Sequence, residues 1–272
     1  MTTRTPVACT VAGADSGGGA GLHADIKTFA FHQVHGASAV TALTVQDTCT
    51  VHEVLPIDPR FIVAQLAAVH ADLHIDAMKC GLLPGADSIR AVAHWLAANP
   101  AIPLVLDPVM VSRHGIRFAD DASLAELRGA ILSRATIVTP NRREAEELTG
   151  LAIADAADME AAARAILRLG ARSVLVKGGG LGGPLRAHDV FAQGDFLEHL
   201  HMPAIDTGHT HGTGCTLAAS ITARIARGEA VYDAVWGAKK YVHSALEFAI
   251  ALGRGQGTPC HFWPLLDYAG AP

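Results

Sequence analysis

The stretch Val7-Ala8-Cys9-Thr10-Val11-Ala12 runs directly into Gly13-Ala14-Asp15-Ser16-Gly17-Gly18-Gly19-Ala20-Gly21. Its first half is apolar without polar alternation, which predicts a strand buried on both faces. Its second half is a glycine-rich loop that permits unusual backbone angles and close ligand approach. Apolar residues from Ala20 to Val34 then recur at helical spacing. A strand, a glycine loop and a helix in that order open a βαβ unit.

The same alternation continues outward. Strands are predicted over Ala37–Val45, Val51–Ile57, Ile75–Lys79, Leu104–Leu106, Thr136–Thr139 and Ser173–Lys177. Helices are predicted over Phe61–Ala71, Ser88–Ala98, Leu124–Leu132, Arg142–Thr149, Asp158–Leu169, Gly214–Arg227 and Val231–Leu252. Ala187–Leu200 reads as a hairpin with Gly194 in its turn. Strands alternating with helices imply a mostly parallel sheet covered on both faces, with the late hairpin adding antiparallel strands at one edge. No linker or repeat divides the 272 residues, so 1–272 is read as one domain. Ligands in such sheets bind beyond the carboxyl ends of the strands.

Composition narrows the function classes. Half of the residues are hydrophobic and 17% are charged, with a formal net charge of −5. That excludes global disorder, and the absence of a basic block argues against nucleic acid as a partner. No apolar run approaches the ~20 residues that span a bilayer. Met1–Pro6 lacks a signal-peptide layout. The 5 cysteines include no C-x-x-C pair, so a reducing cytoplasm is expected and a disulfide scaffold is not. The 15 histidines are scattered along the chain.

Five constellations lie where ligands bind. In the first glycine loop, Gly19-Ala20-Gly21-Leu22-His23-Ala24 fits the loose pattern G-x-G-x-x-A, with Asp47 near its acidic position. A tight strand-to-helix turn explains the same residues. No G-x-x-x-x-G-K-[ST] occurs, which excludes a P-loop. His211-Gly212-Thr213-Gly214-Cys215-Thr216 places glycines where a helix begins. Free N–H groups there bind anions, and the Cys215 thiol is expected to be acidified. Asn141-Arg142-Arg143-Glu144 reads as a capping box, or as a carboxylate that organises Mg²⁺ water near phosphates. Asp107 ends a strand, and Lys177 ends another before three glycines, where it can neutralise a phosphate.

Together these residues resemble the ribokinase-like superfamily, and within it the bifunctional hydroxymethylpyrimidine/phosphomethylpyrimidine kinases of thiamine biosynthesis. The resemblance runs from about Thr10 to Phe262. It is carried by Ala12–Asp15, Gly18–Gly21, Ala24–Thr28, Thr41–Leu43 with Gln46, and Lys79 with Gly81–Leu83. Asp107–Met110, Thr139–Asn141 with Glu144, Lys177–Gly179, His211–Thr216, and Gly257–Pro259 with His261 and Phe262 continue it.

The resemblance implies a three-layer α/β/α fold, ATP and Mg²⁺ as cofactors, a cytoplasmic homodimer and no membrane partner. It implies a pyrimidine pocket of Gly13, Ala20, Asp25, Gln46, Leu82 and Val109, in which Asp25 and Gln46 hydrogen-bond the aminopyrimidine edge. Asn141, Glu144, Lys177, Thr213 and Gly214 would hold ATP. Asp107 and Glu144 would organise Mg²⁺, partly through water. Cys215 would accept the substrate's proton, beside Lys177 and the N–H groups of Gly212 and Gly214. Three departures from the family pattern bear on pocket shape: Ser16-Gly17 before the paired glycines, Leu82 for a common methionine, and His209 for a common asparagine.

A pyridoxal or pyridoxine kinase is the nearest alternative. A sugar kinase fits less well, because cysteine rather than aspartate stands at the base position. A dinucleotide-dependent oxidoreductase and a non-catalytic nucleotide-binding regulator are readings of other classes. Leu181–Arg186 and Arg113–Asp121 are the candidate mobile loops, from their glycine and polar content.

Overall fold

The computed structural model describes residues 4–110, 120–179 and 185–266. The two candidate mobile loops fall largely outside the described residues. The strands are β1 (Val7–Ala14), β2 (His35–Gln46), β3 (Val51–Pro56), β4 (Ala77–Cys80), β5 (Leu104–Leu106), β6 (Ile137–Val138), β7 (Val174–Val176), β8 (His188–Gln193) and β9 (Phe196–His201). They form one nine-stranded sheet in the order β3-β2-β1-β4-β5-β6-β7-β8-β9.

The six central strands from β2 to β7 pair in parallel. Both edges are antiparallel, because β3 folds back on β2 and β8–β9 form a hairpin. The late hairpin agrees with the sequence reading, with Gly194 at φ +57° in its turn. The antiparallel β3 edge is additional. Asp47 explains it: its carboxylate accepts the N–H groups of Cys49 and Thr50 and closes the β2–β3 turn.

The helices are α1 (Gly21–Phe31), α2 (Pro59–Asp72), α3 (Gly85–Ala98), α4 (Asp121–Glu126), α5 (Arg142–Thr149), α6 (Ala156–Arg168), α7 (Thr213–Ala226), α8 (Val231–Glu247) and α9 (Trp263–Leu266). One face of the sheet is covered by α2 to α6 and the other by α1, α7 and α8. Alternate residues of single strands feed the two layers. Leu104 and Leu106 pack toward one core and Val105 toward the other. Such double-sided burial is why the central strands read as continuous apolar runs.

Two predicted helices differ from those observed. The run from Leu124 becomes α-helical only to Glu126, then widens into a π-helical turn over Leu127–Ile131 and a 3-10 turn over Leu132–Arg134. The widening brings Leu127, Ile131 and Leu132 into the core together. Helix α8 stops at Glu247 rather than Leu252. The chain turns back there, and Ile250 exchanges backbone hydrogen bonds with Thr258.

β1 pairs with β2 on one side and β4 on the other. The strand order therefore reverses at β1, which opens a crevice beyond the carboxyl ends of these strands.

Candidate active site

That crevice is a cavity of about 850 Å³. Every residue named for the site from the sequence lines it except Asp25. Gly13, Ala20, Gln46, Leu82 and Val109 form one end. Asp107, Asn141, Glu144 and Lys177 lie at strand ends, and Gly212, Thr213, Gly214 and Cys215 enter from the start of α7.

Asp25 requires a correction. It lies in α1 on the side facing the sheet, wholly buried. Both of its oxygens meet the Lys79 ammonium, at 2.7 and 2.8 Å, and the Thr10 hydroxyl donates to it at 2.6 Å. Lys79 is fully buried in β4, so its charge needs a partner, and the Asp25 carboxylate is taken by that need. Lys79, not Asp25, reaches the cavity wall.

A second pair stands at the carboxyl ends of β5 and β7. Lys177 donates to Asp107 at 2.9 Å, and Thr139 donates to the same oxygen at 3.3 Å. Burial pushes the Asp107 carboxyl up, but Lys177 and Lys79 outweigh it and hold the group below the usual range. Lys177 is placed by its own N–H, which bonds the Pro140 carbonyl where β7 ends.

Glu144 completes a capping box. Its Oε2 accepts the Asn141 N–H at 2.8 Å, and Asn141 Oδ1 accepts the Glu144 N–H at 3.0 Å. Burial pushes the Glu144 carboxyl up to about 7, with the Asp107 charge adding to the shift and Lys177 opposing it. The structural reading of this motif is thus realised.

The start of α7 is built as expected, with one chemical difference. Gly212 has φ +83°, and a Cβ on it would lie 1.9 Å from the Gly19 carbonyl oxygen. Only glycine lets the helix begin so close to the first glycine loop. Gly214 and Cys215 stand in the first turn, where N–H groups have no intrahelical acceptor. The Cys215 thiol is not acidified: burial pushes it up to about 11, although Lys79 pulls the other way. Desolvation of the thiolate exceeds the attraction of the helix start.

Two further arrangements carry the site without having been singled out from the sequence. Asp15 accepts hydrogen bonds from the N–H groups of Gly17, Gly19 and Ala20, and from His211 Nε2 at 2.8 Å. Lys239, in α8, bonds Asp189, whose other oxygen accepts the Gly178 N–H at 2.9 Å next to Lys177. Asp15 sits within a quoted motif, so its turn-closing acid was visible there. The Asp189–Lys239 pair joins distant segments and has no local signal.

The departures from the family pattern also find places. The Ser16 hydroxyl donates to the Gln46 carbonyl and accepts the Gln46 N–H, both at 2.8 Å. His209 Nδ1 accepts the Gly257 N–H at 3.1 Å. Leu82 packs against Gly13, where a Cβ would come within 3.1 Å of it.

Among the described residues, no three His, Cys, Asp or Glu side chains are grouped to hold a metal ion. Asp107 and Glu144 line the same cavity, and the Asp107 charge helps push the Glu144 carboxyl up. Two carboxylates without a third suit Mg²⁺ that arrives on nucleotide phosphates rather than in a protein cage.

The model of the family described as phosphomethylpyrimidine kinase matches residues 15–260. The hydroxymethylpyrimidine/phosphomethylpyrimidine kinase of Synechococcus elongatus is 48% identical, over 96% of this chain and 98% of its own. The enzyme of the same name from Bacillus subtilis is 40% identical, over 94% of each. Among solved structures, an ADP complex of Bacillus subtilis pyridoxal kinase superposes with a TM-score of 0.90 at 36% identity, covering 97% of this chain and 100% of its own. A phosphomethylpyrimidine kinase from Clostridium difficile 630 gives 0.78 at 33% identity, covering 89% and 100%. With a family model spanning most of its length and relatives this similar end to end, the chain belongs to the phosphomethylpyrimidine kinase family.

Proposed function

We propose that this single domain phosphorylates 4-amino-5-hydroxymethyl-2-methylpyrimidine with ATP, and then phosphorylates the monophosphate to the diphosphate. The observation that carries the reading is the one cavity shared by Gln46, Lys177 and the Gly212–Cys215 turn, in a chain of this family. Gln46 faces the pyrimidine between the walls of Gly13, Ala20, Leu82 and Val109. The nucleotide lies along Gly178 and Gly179, with Asn141 and Thr213 beside its phosphates.

In the first step the hydroxymethyl oxygen forms a bond to the γ-phosphorus as the bond to ADP breaks. Cys215 accepts the hydroxyl proton in its thiolate form, the minor form at neutral pH because burial holds the thiol at about 11. The N–H groups of Gly212, Gly214 and Cys215 stabilise the transferring group, and Lys177 neutralises charge on the phosphates. Asp107 and Glu144 are the residues that would hold Mg²⁺, which would supply further charge neutralisation. Lys177 exchanges its Asp107 contact for a phosphate contact as the nucleotide enters. In the second step the nucleophile is a phosphate oxygen, largely deprotonated at neutral pH because its second pKa is about 6. That step needs no base.

The similarity to the pyridoxal kinase fold favours a second reading, phosphorylation of pyridoxal. Incubation with Mg²⁺-ATP and each substrate, with products resolved by mass, separates the two. Diphosphate from the pyrimidine supports the first reading; pyridoxal phosphate alone replaces it with the second.

The enzyme acts in the cytoplasm as a homodimer. Leu43 pairs with Leu55 across β2 and β3, and with Val45 they form an exposed apolar face beside an edge strand. Light scattering that gives a monomer at micromolar concentration rejects the dimer. Among the described residues no helix is long and apolar enough to cross a membrane.

A further inference from the structure

Gln46 is held in a hydrogen-bond chain that permits only one orientation of its amide. One end of the amide lies 3.3 Å from His211 Nε2, and the other end lies 3.3 Å from the Thr44 hydroxyl. The Thr44 hydroxyl sits 2.9 Å from the Ala14 carbonyl, which can only accept. His211 Nε2 sits 2.8 Å from Asp15, whose two oxygens also receive three backbone N–H groups. An oxygen pair surrounded by donors is a carboxylate, so His211 Nε2 carries a proton and donates it.

Two donors do not face one another. With the amide nitrogen at the His211 end, two N–H groups would collide, and the single Thr44 proton would be wanted by both Ala14 and Gln46. With the amide oxygen at the His211 end, both conflicts vanish. The single His211 Nε2 proton points to Asp15 at 2.8 Å and is shared, as the longer arm of a three-centre bond, with the Gln46 oxygen at 3.3 Å, while Gln46 donates to Thr44, which donates to Ala14. The ring packs close against Gly19, where a Cβ would lie 2.5 Å from His211 Cδ2, and the His211 backbone is anchored by its N–H to the Gly257 carbonyl at 3.1 Å. Nor can Gln46 shift as a whole, since Ser16 bonds both its backbone groups.

We infer that Asp15 and His211 are positioning residues that lock the Gln46 amide in one sense and thereby select an aminopyrimidine over pyridoxal. The inference rests on the proposed pyrimidine-facing role of Gln46. Both molecules carry the hydroxymethyl group that is phosphorylated. Next to it, the aminopyrimidine offers an amine donor followed by a ring-nitrogen acceptor. Pyridoxal offers an aldehyde acceptor followed by a hydroxyl donor, the reverse order. A primary amide free to flip serves both. A locked amide serves one and leaves unpaired polar groups against the other, and that is where large discrimination comes from.

The test compares kcat/KM for phosphorylation of hydroxymethylpyrimidine and of pyridoxal in one preparation, so any inactive fraction cancels from the ratio. His211→Phe keeps a ring but removes the donor; Asp15→Asn removes the charge that fixes the tautomer. Each should shift the ratio toward pyridoxal at least about tenfold, the scale of one lost discriminating hydrogen bond. The double variant should shift it no further, since the two act through the same amide. His211→Asn, which can still donate toward Asp15, should recover part of the preference. Gln46→Ala should lose the preference whatever stands at 211. Equal losses on both substrates, with the ratio within about threefold of wild type, would show a purely structural pair and overturn the inference. A wild-type enzyme that prefers pyridoxal instead overturns the functional reading beneath it, and that result needs no variant.

Discussion

Lys79 and Asp25 form an ion pair from which water is wholly shut out: the ammonium lies 2.7 and 2.8 Å from the two carboxylate oxygens, and neither side chain has any exposed surface. Desolvation of both charges is costly, and the pair persists because each partner satisfies the other. Removing one partner should cost about 3–5 kcal/mol, because the remaining charge is buried alone. Lys79→Met and Asp25→Asn should each lower the unfolding free energy from urea melts by that amount, and Lys79→Met with Asp25→Leu should recover most of it. A cost below about 1 kcal/mol for Asp25→Asn would mean that the carboxylate is not committed to Lys79.

The acidity of Cys215 separates the two phosphorylations. Burial holds the thiol at about 11, so the thiolate fraction rises tenfold per pH unit at neutral and mildly alkaline pH. The kcat of the first step should climb with unit slope from pH 7 to 9, while that of the second stays flat. Cys215→Ala should depress the first step about a hundredfold or more, the lower range of base catalysis, and abolish its slope. Equal loss in both steps, measured by rapid-quench product analysis, would leave Cys215 only a positional role.

The role proposed for Lys177 is to neutralise phosphate charge in both steps. Lys177→Met should lower kcat of each by about a hundredfold or more, the scale of an electrostatic contact to the transferring group. Loss confined to one step would count against the phosphate role. Because its partner Asp107 is then left buried with a weakened counter-charge, the melting temperature should fall as well.

Gly212 and Gly179 differ in what a methyl group would meet. Gly212→Ala forces a strained φ and a Cβ 1.9 Å from Gly19 O, so the start of α7 must move. Both phosphorylations should be lost. Gly179→Ala meets nothing within 4 Å and should leave the melting temperature within about 1 °C, the effect of an unstrained surface change. Activity retained in Gly212→Ala would show that the α7 turn does not hold the transferring group.

Two buried histidines make the fold acid-sensitive. His32 packs beside Ser220 at 2.7 Å, and burial, with Arg224 and Arg227, pulls it down to about 4. His261 meets Thr216 at 3.0 Å, and burial, with Lys27, pulls it down to about 4 as well. Their folded values lie below the unfolded value of about 6.5. Stability is therefore fully present above pH 6.5 and is lost as pH falls from there toward 4. His32→Asn should flatten this decline in a pH series of urea melts; an unchanged slope would place the sensitivity elsewhere.

Local patterns made much of this molecule legible. Leu104–Leu106 and Arg142–Thr149 have the observed boundaries, because an apolar run bounded by turn residues and a capping box act within a few residues. Gly212 likewise announced a helix start at the cavity, since its positive φ and the Gly19 carbonyl against it suit no other residue type. The order of these elements placed the site at the strand ends before any packing was considered.

Tertiary structure alone decided which polar groups were free to act. An aspartate early in a helix reads the same whether it meets a ligand or a lysine 54 residues away. His211 finds Asp15 across 196 residues, and no spacing rule connects them. Cys215 sits at a helix start, which lowers a thiol's pKa, and where packing strips water from it, which raises it. The first influence is local and can be read along the chain. The second depends on how completely the layers exclude water, and only the folded packing settles it.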